Sequence, residues 1–185
     1  MGTFLKIDDA TFLTLPQEHL ADEIFETVHQ QRAYLRQWLP WVDGTKSVED
    51  TLKFIRESIE KNASGEKLTT FIYHKNQFAG SIGFVNLSKE KQAGEIGYWL
   101  HQDLQSHGIM TKTCQRFIDY AFGTKAINRI EIKTATGNFK SQAIPRRLGF
   151  VEEGILREGL LMYGQFYDLN LFSMLRKEWK DKKSA

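Results

Sequence analysis

The apolar period of this chain changes after Lys61, and only a fold that combines helices with a sheet accommodates that change. From Gln17 to Trp38, Leu20, Ile24, Phe25 and Val28 recur at three- and four-residue steps, the spacing that gathers side chains on one helical face. Pro16 suits a first helical turn and Pro40 ends the pattern. Thr45 to Lys61 reads as a second helix, with Ser47 as its cap and Asp50 three residues on. Asn62, Ser64 and Gly65 then break the helical period. Leu68 to Tyr73 and Phe78 to Leu87 read as strands joined by the turn His74-Lys75-Asn76-Gln77, and Gly94 to Leu100 as a further strand. A helix follows from Gly108 to Phe122, with Met110, Cys114, Phe117 and Ala121 as its buried stripe. Ile127 to Thr134 alternates as a strand does. Ser141 to Leu148 is a short helix ended by Gly149. Val151 to Leu161 and Gln165 to Leu175 form two last strands around Tyr163-Gly164. Thr3 to Leu15 supplies one or two short strands, and Lys180 to Ala185 reads as a solvated tail. The expected fold is α/β (α+β): a mixed, mainly antiparallel central sheet with helices on both faces.

The 185 residues suit one domain spanning 1–185, and 41% hydrophobic with 26% charged residues is ordinary for a globular chain. A net charge of +2 gives little field for nucleic acid, so no direct nucleic-acid partner is expected. The single cysteine, Cys114, makes neither an internal disulfide nor a cysteine-rich zinc site, and the 5 histidines lack metal-ligand spacing; no metal is expected. No run approaches the roughly 20 apolar residues of a membrane helix, and Met1 to Asp9 shows no basic-then-apolar signal. The expectation is a cytoplasmic protein without a membrane partner.

The stretch from Gly94 to Thr111 is the most informative. A strand runs into a loop, and the loop opens a helix at Gly108. A helix N-terminus offers unpaired N–H groups and the positive end of the helix dipole. Glycine there lets backbone approach a ligand closely, so the residues alone imply a possible anion site.

Gln105-Ser106-His107-Gly108-Ile109-Met110 resembles the acetyl-coenzyme A motif of the GNAT superfamily, Q/R-x-x-G-x-G/A after a strand. Met110 departs from the usual small residue, so its side chain must turn into the core. Asn138-Phe139-Lys140-Ser141, followed by Leu148-Gly149-Phe150-Val151-Glu152-Glu153-Gly154, resembles the N-x-x-S…LGF-x-x-EG segment of the RimJ/RimL branch, which acetylates N-termini of ribosomal proteins. Leu35-Arg36-Gln37-Trp38-Leu39-Pro40-Trp41 and the segment from Asp168 to Leu175 resemble that branch too, so the likeness spans nearly the whole chain.

The resemblance implies acetyl-coenzyme A as cosubstrate and a primary amine as acceptor. It places the pyrophosphate on backbone N–H groups of Gln105, Ser106, His107, Gly108, Ile109, Met110 and Thr111. Backbone of Tyr98, Trp99 and Leu100 would hold the pantetheine arm like an added strand and supply an oxyanion-stabilising N–H. Asn138 would lie beside the pantetheine, and Ser141 would relay a proton to the coenzyme sulfur or hydrogen-bond the developing thiolate. On the residues alone, Asn138 and Ser141 are equally good helix caps. Glu95 is the candidate base, against the commoner fate of a solvent-facing charge. Some relatives carry a second acid in the segment corresponding to Glu158-Gly159-Leu160-Leu161. Trp38, Trp41 and Asp43 would lie near the acceptor, where Asp43 would attract an ammonium group; Trp38 also suits the core. Cys114 reads as a small buried hydrophobe rather than a nucleophile. Direct transfer in a ternary complex is therefore expected.

The acceptor expected first is a protein N-terminal α-amine, such as that of a ribosomal protein. A small amine (a polyamine or aminoglycoside) is the alternative, and a non-catalytic acyl-coenzyme A binding module a third reading. A dinucleotide or P-loop fold is excluded, because neither glycine fingerprint is present. A homo-oligomer is expected through the late strands and their aromatic surface.

Overall fold

The computed structural model describes residues 2–184. Eight strands hydrogen-bond in the order β1-β2-β3-β4-β5-β6-β8-β7: β1 Leu5–Lys6, β2 Thr11–Thr14, β3 Leu68–His74, β4 Gln77–Ser88, β5 Ala93–Leu100, β6 Arg129–Ala135, β7 Val151–Met162 and β8 Gln165–Leu175. β5 and β6 pair in parallel; β1 with β2, β2 with β3, β6 with β8 and β7 with β8 pair antiparallel. Helices α1 Ala21–Gln30, α2 Arg32–Leu35, α3 Val48–Ser64, α4 Ile109–Thr124, α5 Phe139–Arg147 and α6 Arg176–Ser184 complete the mixed α/β fold. The chain gathers into two compact units, residues 2–83 with 98–110, and residues 84–97 with 111–184.

In the first unit, Leu20, Ile24, Val28, Leu35, Val42, Ile55, Phe71, Tyr73 and Phe78 form the core, each fully buried side chain contributing about 1.5–3 kcal/mol. α3 starts as its sequence demands. The Ser47 hydroxyl accepts the Asp50 N–H while the Asp50 carboxylate accepts the Ser47 N–H, a reciprocal cap. Gly65, at φ 74°, ends it. The β3–β4 turn places Lys75 and Asn76 at φ 51° and 62°, the left-handed pair a two-residue hairpin requires. The long first helix expected over Gln17 to Trp38 is broken. A 3-10 turn at Glu18–Leu20 precedes α1, and Gln31 leaves helical geometry before α2. The Gln31 side chain instead accepts the Gln102 N–H, so a tertiary contact overrides local helical preference.

The second unit is built on α4 and β6. Cys114, Phe117, Ile118 and Ala121 of α4 are fully buried, and the Phe117 ring lies 5.2 Å from that of Phe84. Ile130 and Ile132 of β6 face the same kind of buried environment, while Arg129, Glu131 and Lys133 alternate to the other side. The Arg176 guanidinium donates to the carbonyls of Phe122, Lys125 and Ile127 and so satisfies the orphan acceptors beyond α4. The tail expected from Lys180 is solvent-exposed over Lys180, Asp181 and Lys182, but it is helical, continuing α6 as far as Ser184; Ala185 lies outside the described residues. Trp179 anchors that helix, its indole N–H donating to Asp119 at 2.7 Å. Among the described residues, no helix is long and apolar enough to cross a membrane.

Candidate functional site

Within the second unit the parallel ladder between β5 and β6 runs from Ala93↔Arg129 to Glu95↔Glu131. Within the first unit the end of β5 is anchored where the His101 N–H donates to the Ala79 carbonyl at 2.7 Å. Gly80, at φ 151°, allows this close approach, because a Cβ there would collide with the Trp99 carbonyl. Trp99 packs edge-on against Phe78 at 5.6 Å and meets Trp41 at 6.1 Å. Trp41 is 44% exposed, a large aromatic surface held on a fixed support. Trp38 is half-buried and Leu100 buried.

A 3-10 turn at Gln102–Leu104 leads into the loop before α4. Ser106 and Gly108 take left-handed backbone, φ 65° and 75°, on either side of His107. Alternation of this kind aims successive N–H groups toward one point, the geometry of an anion cradle. Ser106, His107 and Gly108 are exposed, and a Cβ on Gly108 would meet no protein atom within 4 Å. Ile109 and Met110 are buried, so the Met110 side chain turns inward as its place in the motif demands. Open space above left-handed backbone at a helix N-terminus fits the diphosphate of a coenzyme. Thr111 follows, half-buried, in the first turn of α4.

In the second unit, Glu95 Oε2 accepts hydrogen bonds from Asn86 Nδ2 at 3.0 Å and Lys133 Nζ at 2.9 Å. Burial alone would lower the Lys133 pKa, but the hydrogen bond and charge of Glu95, with those of Glu131, raise it, so Lys133 stays an ammonium group. Both bonds fall on one carboxylate oxygen. Asn138 caps α5, its Oδ1 accepting the Ser141 N–H at 3.1 Å, so the capping geometry read from the sequence is realised. Ser141 lies half-buried in the first turn of α5. Glu158, at φ 52°, is exposed in an irregular stretch of β7, its N–H donating to Asp168 at 2.7 Å. Burial pushes the Cys114 thiol far above its ordinary range, which removes it as a nucleophile.

Two arginines fix the segment after α2. Arg32 donates to the carbonyls of Val42 and Thr45, and Arg36 Nε contacts both Asp43 oxygens at 2.8 and 3.0 Å. The Arg36 hydrogen bond and charge hold the Asp43 carboxyl below its ordinary value. Asp43, expected to attract an ammonium group, is therefore already ion-paired. Tyr34 and Lys133 escaped the sequence reading, since single tyrosines and lysines carry no periodic or motif signal, and Arg36 enters it only as part of the Leu35 to Trp41 resemblance, without its pairing to Asp43. Among the described residues, no group of three or more His, Cys, Asp or Glu side chains is placed to hold a metal ion.

Residues 11–151 match the model of the acetyltransferase (GNAT) domain family. The Bacillus subtilis (strain 168) protein YdaF, provisionally named a ribosomal N-acetyltransferase, is 32% identical over 180 residues, 96% of this chain and 98% of its own. The microcin C7 self-immunity acetyltransferase MccE, solved with acetyl-CoA and AMP, superposes with a TM-score of 0.91 at 28% identity over 95% of this chain and 97% of that one. RimL, a ribosomal L7/L12 alpha-N-protein acetyltransferase solved with coenzyme A, gives a TM-score of 0.90 at 26% identity over 94% of this chain and 98% of that one.

Proposed function

The chain belongs to the GNAT acetyltransferase family and is an acetyl-CoA-dependent N-acetyltransferase, and from that premise we propose that its acceptor is a protein N-terminal α-amine, a ribosomal protein's in the first place. The pairing of Asp43 with Arg36 carries this reading. A polyamine site needs uncompensated carboxylates, and the one acid expected beside the acceptor tryptophans is neutralised. The likeness to ribosomal-protein acetyltransferases over nearly the full chain supports it further.

In the proposed reaction, residues 1–185 act as one domain. The loop 105–111 holds the pyrophosphate on backbone N–H groups, and the end of β5 offers Tyr98, Trp99 and Leu100 as strand partners for the pantetheine arm. The neutral amine attacks the thioester carbonyl, forming the C–N bond. Glu95 takes the amine proton through its second oxygen, and a β5 N–H stabilises the oxyanion. The C–S bond then breaks, and Ser141 hydrogen-bonds the departing thiolate while Asn138 orients the arm beside it. Trp38 and Trp41 frame the acceptor.

Trp41 favours a second reading. Its exposed ring beside Trp99 suits a small amine carried on a flat aromatic group, and the similar MccE was solved with AMP. Peptides with free or blocked α-amines, incubated with acetyl-CoA and read by mass spectrometry, test the proposal. Product on the free α-amine alone supports it; product only on small amines favours the second reading.

We further infer that the β7–β8 hairpin pairs two copies of the chain. Ile155, Leu161 and Phe166 are more than half exposed along it, and β7 is an edge strand. Register shifts within β7 blunt its edge, so the contact would use the hairpin's apolar face.

A further inference from the structure

The short segment at the α1–α2 break touches both the coenzyme loop and the acceptor segment, all within the first compact unit. Gln31 Oε1 accepts the Gln102 N–H at 3.0 Å. The Tyr34 hydroxyl oxygen accepts a hydrogen bond from Gln105 Nε2 at 2.6 Å, and the same amide donates to the Leu100 carbonyl at 3.2 Å. One side-chain amide therefore ties the last residue of β5, the first residue of the 105–111 loop and helix α2 together. Tyr34 itself is packed against the unit's core, as Trp99 is, so its hydroxyl is a fixed point. From the same segment, Arg32 and Arg36 hold residues 42–45.

The loop needs such a fixed point. Ser106 is left-handed without being glycine, a backbone state that persists only where the surroundings impose it. Ser106 and His107 are exposed and Gly108 has no protein atom over it, so packing on the loop itself does not impose that state. The anchor next to it in the chain is Gln105, held by Tyr34.

We propose that Tyr34 is a positioning residue for the coenzyme loop, holding residues 105–108 through Gln105 in the conformation that receives the pyrophosphate. The inference rests on the reading that this loop binds the coenzyme. Tyr34 does not itself touch the coenzyme in this account. Without its hydroxyl the Gln105 amide loses its bond to helix α2, and the loop occupies the binding-competent state for a smaller fraction of the time. Apparent affinity falls by that fraction, while the chemistry of the bound complex is unchanged.

The test is steady-state kinetics on Tyr34→Phe, Gln105→Met and the double variant, each checked for an unchanged thermal midpoint. The expected result is a rise of about fivefold in KM for acetyl-CoA in Tyr34→Phe, with its kcat and acceptor KM within about twofold, and a rise at least as large in Gln105→Met, which also loses the bond to the Leu100 carbonyl. The double variant is expected to be no worse than Gln105→Met, since that substitution already removes the Tyr34 link. An unchanged acetyl-CoA KM in Tyr34→Phe overturns the proposal, as does an equal loss in kcat and acceptor KM. Titration of Gly108→Trp with acetyl-CoA separates the two levels of the argument. Lost binding there, with normal kinetics in Tyr34→Phe, removes only the role of Tyr34. Wild-type binding in Gly108→Trp removes the coenzyme reading of the loop, and the role of Tyr34 with it.

Discussion

Arg36 forks onto Asp43, its Nε lying 2.8 Å from one carboxylate oxygen and 3.0 Å from the other. In the proposed reading this contact decides what the segment after α2 attracts. Arg36→Gln removes the hydrogen-bonded partner of Asp43 and leaves its charge less compensated, with only the more distant Arg32 and Lys46 acting on it. We expect the kcat/KM for a polyamine acceptor to rise about two- to fivefold, the scale of an exposed ion pair. Competition assays with spermidine and a peptide acceptor read this directly. No gain for spermidine would show that Asp43 does not face the acceptor.

Glu95 is held by Lys133 and Asn86 through one oxygen, which orients the other. Glu95→Gln keeps the shape and removes the proposed base. The expected outcome is a fall in kcat of about a hundredfold with little change in KM for acetyl-CoA, measured at neutral pH. A kcat within a few-fold of wild type would assign the proton to water.

Glu153 gives the fold an acid-sensitive contact. Arg129 donates to it at 2.7 and 2.5 Å and Ser173 at 2.6 Å, and the Arg129 hydrogen bond, followed by that from Ser173, pulls its pKa from 4.5 to about 2. A folded-state pKa below the unfolded one gives stability that is present above the unfolded value and lost as pH falls through the folded value. Wild type is therefore expected to melt above Glu153→Gln at pH values over 4.5, with the gap closing toward pH 2. Thermal scans across that range check it; a gap independent of pH would contradict it.

Much of this architecture was legible because its signals are local. The Ser47–Asp50 cap, the His74–Gln77 turn and the buried stripe of α4 each follow from residues within one or two turns. The inward turn of Met110 followed from its place in the motif. The rest was not legible because its causes are distant in sequence. The break at Gln31 answers to Gln102, 71 residues away, and the lysine-rich α6 is anchored by the contact of Trp179 with Asp119, 60 residues back. The glycine and the motif of the loop before α4 are visible in the sequence, whereas Lys133 lies 38 residues from Glu95. Nothing in the local sequence marks that pairing.

The β7–β8 hairpin sets a prediction on assembly. Leu161 and Phe166 face each other across the strands, 59% and 56% exposed. Leu161→Glu with Phe166→Glu places like charges on the apolar face. Sedimentation velocity is expected to show wild-type dimer and variant monomer, with acetyl-CoA binding retained. A wild-type monomer at all concentrations would remove the inference.

The most direct test of the account is calorimetric titration of acetyl-CoA into wild type, Gly108→Ala and Gly108→Trp. Gly108 is left-handed with nothing above it, so alanine adds backbone strain alone, while the indole fills the space given to the pyrophosphate. One-to-one binding by wild type, weakened in Gly108→Ala and lost in Gly108→Trp, is the predicted result. Equal binding by wild type and Gly108→Trp would contradict the account, because the coenzyme would then lie away from the loop that opens α4.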